Sequence, residues 1–161
     1  MSFKATLTSI YKKVESVGPK DSQTFGVNVL SGTTKINDRT VTVRILGTVD
    51  YDKGNGPFGG FMELVWSDGT TIGMRQEGKA SVDPDTKKTE FSARLDVIAG
   101  TKAAVATDGT GEWTGSKSGS TGTSMSISVN LMLTGAPEAL TGVPPNSTPT
   151  PSTSYNATIA P

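Results

Sequence analysis

Apolar residues recur at every second position through most of this chain, and that spacing leaves few folds open to it. They alternate in Phe3/Ala5/Leu7, in Phe25/Val27/Val29 and in Val41/Val43/Ile45/Val49. They do so again in Phe91/Ala93/Leu95/Val97 and in Met125/Ile127/Val129/Leu131/Leu133. Side chains of a strand point alternately to its two faces, so a period of two marks a strand with one buried face. Threonine, valine and isoleucine dominate these runs, as pleated surfaces favour. Turn-forming residues separate them: Ser31-Gly32, Asn37-Asp38, Gly54-Asn55-Gly56-Pro57, Asp68-Gly69, Asp83-Pro84-Asp85 and the stretch 116–122. No segment shows a long helical period, and only Ile10 to Glu15 is ambiguous. The pattern predicts an all-β fold of seven or eight strands, either a sandwich or a closed antiparallel barrel. Alternation alone leaves both open.

Composition narrows the chemistry. A chain of 161 residues is one domain by default and long enough to bury a core. Its 15 acidic and 15 basic residues cancel. Nucleic-acid and acidic-membrane surfaces need a clustered basic excess, so neither partner is expected. There is no cysteine and no histidine. That removes thiolate chemistry, the usual metal ligand, the usual general base and every Ser-His-Asp arrangement, so no metal or cofactor is expected. The first residues hold no apolar run of signal-peptide length and no later run approaches membrane-spanning length, which gives a cytoplasmic location as the expectation. Six of the nine prolines lie between Pro137 and Pro161, where Glu138 is the single charge. The chain therefore divides into a β-barrel domain over 1–134 and a Pro/Ser/Thr-rich tail over 135–161. Within the tail, 154–159 has the pattern of a short strand. Asn146 and Asn156 fall on glycosylation sequons, read as chance matches in a Ser/Thr-rich stretch.

The centre of the chain predicts a hairpin from Phe58 to Gly78 that turns at Asp68-Gly69. Taken as a two-residue turn, it puts Phe61, Glu63, Val65, Ile72, Met74 and Gln76 on one face. Met62, Leu64, Trp66, Gly73, Arg75 and Glu77 take the other. In the next hairpin, pairing Arg75 with Asp96 and Glu77 with Arg94 sets opposite charges face to face, whereas a slip by two residues sets Arg75 against Arg94. The favoured register brings Gln76 beside Leu95 and Met74 beside Val97. If the first face lines a barrel lumen, Phe61, Val65, Ile72, Met74 and Gln76 are its ligand-binding candidates. Tyr51, Trp66 and Trp113 are aromatics that line a ligand site or pack in the core. Glu63 is the candidate catalytic residue, because a carboxylate in an apolar lumen has a raised pKa and can serve as general acid or base. The competing reading sets Glu63 at a barrel mouth, hydrated or paired with a Lys or Arg.

The stretch from Ile98 to Gly115 carries a glycine spacing of its own. Gly100, Thr101, Gly109, Gly111, Trp113 and Gly115 fall, without a gap, on a signature of the allene oxide cyclase and dirigent barrel families. Lys102, Ala104 and Ala106 depart from it. The resemblance covers roughly Phe58 to Gly115, since those families also have an apolar strand, an Asp-Gly turn and a second strand ending in Gly before the glycine-rich stretch. It implies a closed barrel of about eight strands, a size at which side chains or one small ligand fill the interior. It also implies a cofactor-free cavity that binds or cyclises a small hydrophobic molecule, and a homo-oligomer, most simply a trimer. In the resembled cyclases a lumen Glu guides an anionic cyclisation, but no motif carries that residue onto Glu63. The Gly109-x-Gly111 step leads into a strand and not a helix, so no nucleotide site is expected. A non-catalytic oligomeric binding or assembly module with a packed interior is the alternative, and the amount of empty lumen separates the two.

Overall fold

The computed structural model describes residues 1–19, 23–118 and 124–141. Eight strands follow in chain order: β1 (Ser2–Val17), β2 (Gln23–Ile36), β3 (Arg39–Asp52), β4 (Gly56–Trp66), β5 (Thr71–Val82), β6 (Thr89–Gly100), β7 (Asp108–Lys117) and β8 (Ser124–Thr134). Each pairs antiparallel with the next, and β8 pairs back onto β1 from Ser2↔Asn130 to Thr8↔Ser124. The expected barrel is therefore closed through the β1–β8 pairing. The Met1 amino group donates to the Leu131 carbonyl at 2.7 Å and extends that seam. No helix among the described residues is long and apolar enough to cross a membrane.

The two ends of the barrel differ. At one end lie the β2–β3, β4–β5 and β6–β7 connections and the short helix α1 (Glu138–Thr141). Here the interior is solid: Leu7, Val41, Val43, Met62, Leu64, Trp66, Ile72, Met74, Leu95 and Val129 are sealed from solvent. Leu140 of α1 and Ala104 of the 3-10 turn (Lys102–Ala104) belong to the same core. The first turn of the Pro-rich tail thus adds an apolar plug. The sequons and the strand pattern over 154–159 lie outside the described residues. Gly100 leads into the 3-10 turn. A Cβ there would meet the Ala104 carbonyl oxygen at 1.8 Å, so only glycine lets the chain fold back so closely.

Three expectations are corrected by the register. First, the ambiguous Ile10 to Glu15 is strand throughout. A bulge between Ser9 and Tyr11 inserts Ile10 and shifts the inward phase from Ser9 to Lys12 and Val14. Second, the apolar stripe Phe25/Val27/Val29 of β2 points outward, with Phe25 56% and Val27 40% exposed. Thr24, Asn28 and Leu30 face in. Third, the β4–β5 turn has three loop residues and not two. Gly69 N–H donates to the Trp66 carbonyl, Trp66 N–H donates to the Thr70 carbonyl, and Gly69 takes φ +79°. This is a type I turn closed by a left-handed residue. Asp68 anchors it by accepting from Thr70 N–H at 2.8 Å and pairing with Arg39 at 2.6 Å. The extra residue slides the pairing by one, so Glu63 faces Gly73 and not Met74. A one-residue slip inverts a strand's faces. Met62, Leu64 and Trp66 therefore point inward, while Phe61, Glu63 and Val65 point outward. The β5–β6 register is the expected one: Arg75↔Asp96, Glu77↔Arg94, Gln76↔Leu95 and Met74↔Val97.

Candidate ligand cavity

Towards the β1–β2, β3–β4 and β5–β6 connections the barrel opens. The strands diverge around a cavity of about 560 Å³, within the range that holds a small organic molecule. Its apolar wall is built by Ile45, Val49, Phe58, Phe91, Trp113 and Met125. Phe58 sits between the other two aromatics, with ring centroids 6.1 Å from Phe91 and 5.5 Å from Trp113. Phe91 and Trp113 lie nearly parallel, 6.4 Å apart. The space exists because Gly47 fills an inward position where β3 otherwise carries Val43, Ile45 and Val49. A Cβ at Gly47 would lie 3.6 Å from the Gly59 carbonyl and 3.7 Å from Gln76 Nε2, so a side chain fits there without collision.

Gln76 forms the floor. It is 1% exposed, and its Oε1 accepts the Trp113 indole N–H at 3.0 Å. That bond fixes the amide so that Nε2 is the free end, and Nε2 has no hydrogen-bond partner among the described residues. An unmade hydrogen bond on a buried donor costs about 1–3 kcal/mol. Trp66 Nε1 and Thr107 Oγ1 are the other buried polar atoms left without partners among the described residues, and neither residue lines the cavity. On β3 stands Tyr51, whose phenol is pushed up to about 12 by burial. Ser9 donates to Asn28 Oδ1 at 2.7 Å. Lys12 of β1 and Lys117 of β7 complete the lining. The Lys117 ammonium is pushed below its ordinary range by burial, and next by the charge of Lys12.

The residues singled out from sequence divide into three groups. Gln76 and Tyr51 line the cavity. Ile72 and Met74 face the lumen but lie in its solid half, fully buried and away from the cavity. Phe61, Val65 and Glu63 are on the outer wall. Phe61 is 45% exposed, and the Glu63 carboxylate is paired with Arg44 Nη1 at 3.0 Å. The lumen carboxylate anticipated for acid–base chemistry is thus an outer-wall ion pair, and no carboxylate among the described residues lines the cavity. Sequence reasoning left out both lysines. Lys117 was within reach, since it continues the inward alternation of Trp113 and Gly115. Lys12 was hidden by the bulge at Ile10.

A second concavity, about 640 Å³, runs along the outer wall beside Lys4, Lys79, Glu90 and a row of serines. None of the unpartnered buried polar atoms points to it. Compared with known proteins, the chain matches no family model and no curated sequence.

Proposed function

We propose that this barrel binds a small hydrophobic molecule in its open half, without a cofactor, in the manner of the allene oxide cyclase and dirigent barrels it resembles in sequence. The observation that carries this reading is the Gln76 amide: a buried donor, locked by Trp113, aimed into an apolar cavity with no acceptor of its own. A ligand oxygen seated over Gln76 would supply the missing hydrogen bond while its apolar body packs on Phe58, Phe91 and Trp113. Binding and orientation have more support than cyclisation by a carboxylic acid, because the polar groups of the cavity among the described residues are two amides, hydroxyls and two lysines. The test is titration with the neutral fluorophore N-phenylnaphthylamine. Wild-type protein should bind it, and Gly47→Leu, which fills the cavity from a position with room for a side chain, should weaken binding by at least about tenfold. Equal binding by both proteins overturns the reading.

The outer wall favours assembly as a second property of the same barrel. Tyr11, Val29, Leu46 and Phe61 stand opposite one another in a row across β1 to β4. Phe25 and Val27 adjoin it. Soluble monomers rarely expose an apolar patch of this extent. Its flanks carry Lys13, Glu15, Arg44, Glu63, Arg75 and Glu77, a mixed rim that complements a second copy of itself better than a partner of one charge sign. A homotrimer, as in the resembled families, is the assembly we favour.

A further inference from the structure

We infer that the ligand of this cavity is amphipathic and anionic: an apolar body held against the aromatic wall, with a negatively charged end group received by Lys12 and Lys117. The inference rests on the lumen-binding reading and adds the chemical class of the ligand. Both lysines line the same cavity as Gln76. They stand on the strands that flank β8, beyond its last pairings with each, Thr8↔Ser124 and Ser116↔Ser126. They therefore lie at the mouth of the barrel, while Gln76 lies at the floor. Among the described residues no acidic side chain lines the cavity, and neither lysine has a carboxylate partner. The three ion pairs among the described residues, Arg39 with Asp68, Arg44 with Glu63 and Lys88 with Glu90, all lie away from this cavity. Two like charges brought to one partly buried mouth repel, and the depressed Lys117 ammonium reports that strain along with its burial. An anion between them removes the repulsion and gains charge-assisted hydrogen bonds that a neutral ligand cannot make. The two polar ends of the cavity thus ask for different groups: a hydrogen-bond acceptor deep inside and a full negative charge at the rim.

A pair of dyes that differ by one group isolates the claim. Anilinonaphthalene sulfonate carries an anionic end on the same ring skeleton as neutral N-phenylnaphthylamine. Wild-type protein should bind the sulfonate at least about tenfold more tightly. In the double variant Lys12→Gln/Lys117→Gln the ratio of sulfonate to neutral-dye affinity should fall to about twofold or less, and Lys12→Arg/Lys117→Arg should keep it. Decanoate and decyl phosphate, added as competitors, tell a carboxylate end from a phosphate end. Displacement of the sulfonate dye by either supports the inference. Equal affinity of wild-type protein for the two dyes, a preference that survives Lys→Gln, or displacement by decanol as strong as by both anions overturns it. If Gly47→Leu leaves both dyes bound, the lumen reading itself fails. If it displaces the neutral dye and the sulfonate shows no preference, only the anionic inference fails.

Discussion

Glu63 and Gln76 show how little a residue's type says about its task. The carboxylate has the more versatile chemistry, yet it lies on the outer wall, one-third exposed and paired with Arg44. An ion pair in that setting contributes about 0–1 kcal/mol. The amide, less reactive, is buried, oriented by Trp113 and short of one partner among the described residues, which is why the proposed ligand is seated over it. Tyr51 is the other residue whose setting changes its chemistry. Burial holds its phenol protonated up to about 12 against an ordinary value of 10.0. The folded state therefore binds that proton more tightly than the unfolded state does. The resulting stability is fully present below pH 10 and is lost as pH rises from there through about 12. Thermal melts of wild type and Tyr51→Phe should run in parallel below that window. Above pH 10 the wild type should fall faster, and a constant gap across the range would refute the burial argument.

Among the elements, the β4–β5 hairpin decides most about the site. Strand β4 is apolar on both faces, so its hydrophobic pattern does not choose which one points inward. The turn chooses. Gly69 adopts φ +79°, a left-handed conformation that costs other residues roughly 1–2 kcal/mol. Gly69→Ala should lower the free energy of unfolding by about that amount, seen as an earlier urea midpoint at unchanged slope. Gly69→Asn should lose less, because asparagine tolerates this region. An alanine variant as stable as wild type would show that the loop does not depend on the left-handed residue. The β5–β6 pairing was legible in advance because Arg75, Glu77, Arg94 and Asp96 make one register attractive and its neighbour repulsive. No such charge code marks the β4–β5 pair. On β1 the alternation breaks at Ile10, and the bulge that breaks it also hides Lys12.

At the scale of the whole molecule, one half of the barrel is core and the other half is container. The closed end is filled by Met62, Leu64, Trp66, Ile72 and Met74 and plugged by Leu140; the open end keeps its space. The outer wall over β1–β4 exposes Tyr11, Phe25, Val27 and Phe61, and the assembly proposed above predicts its own behaviour. Light scattering at micromolar concentration should give the mass of a trimer. Phe61→Glu combined with Val27→Glu should reduce it to a monomer with dye binding retained. A monomeric wild type would remove the assembly reading and leave the cavity untouched.

The sequence by itself determined that this chain is all-β, antiparallel and free of thiol and imidazole chemistry. Period-two alternation and turn residues are local properties, readable one strand at a time. It also put Gln76 on one face with Ile72 and Met74 and set the charge-matched β5–β6 register. Only the tertiary structure decided which face of β4 points inward, because a single extra loop residue, stabilised by Asp68 contacts to Thr70 and to Arg39 on another strand, inverts the whole strand. It alone decided that β2 turns its apolar stripe outward, since closure of the barrel and not strand pattern assigns inside and outside. It alone brought Lys12 and Lys117 to one mouth, as the two lie on strands far apart in the chain that meet only when β8 closes onto β1.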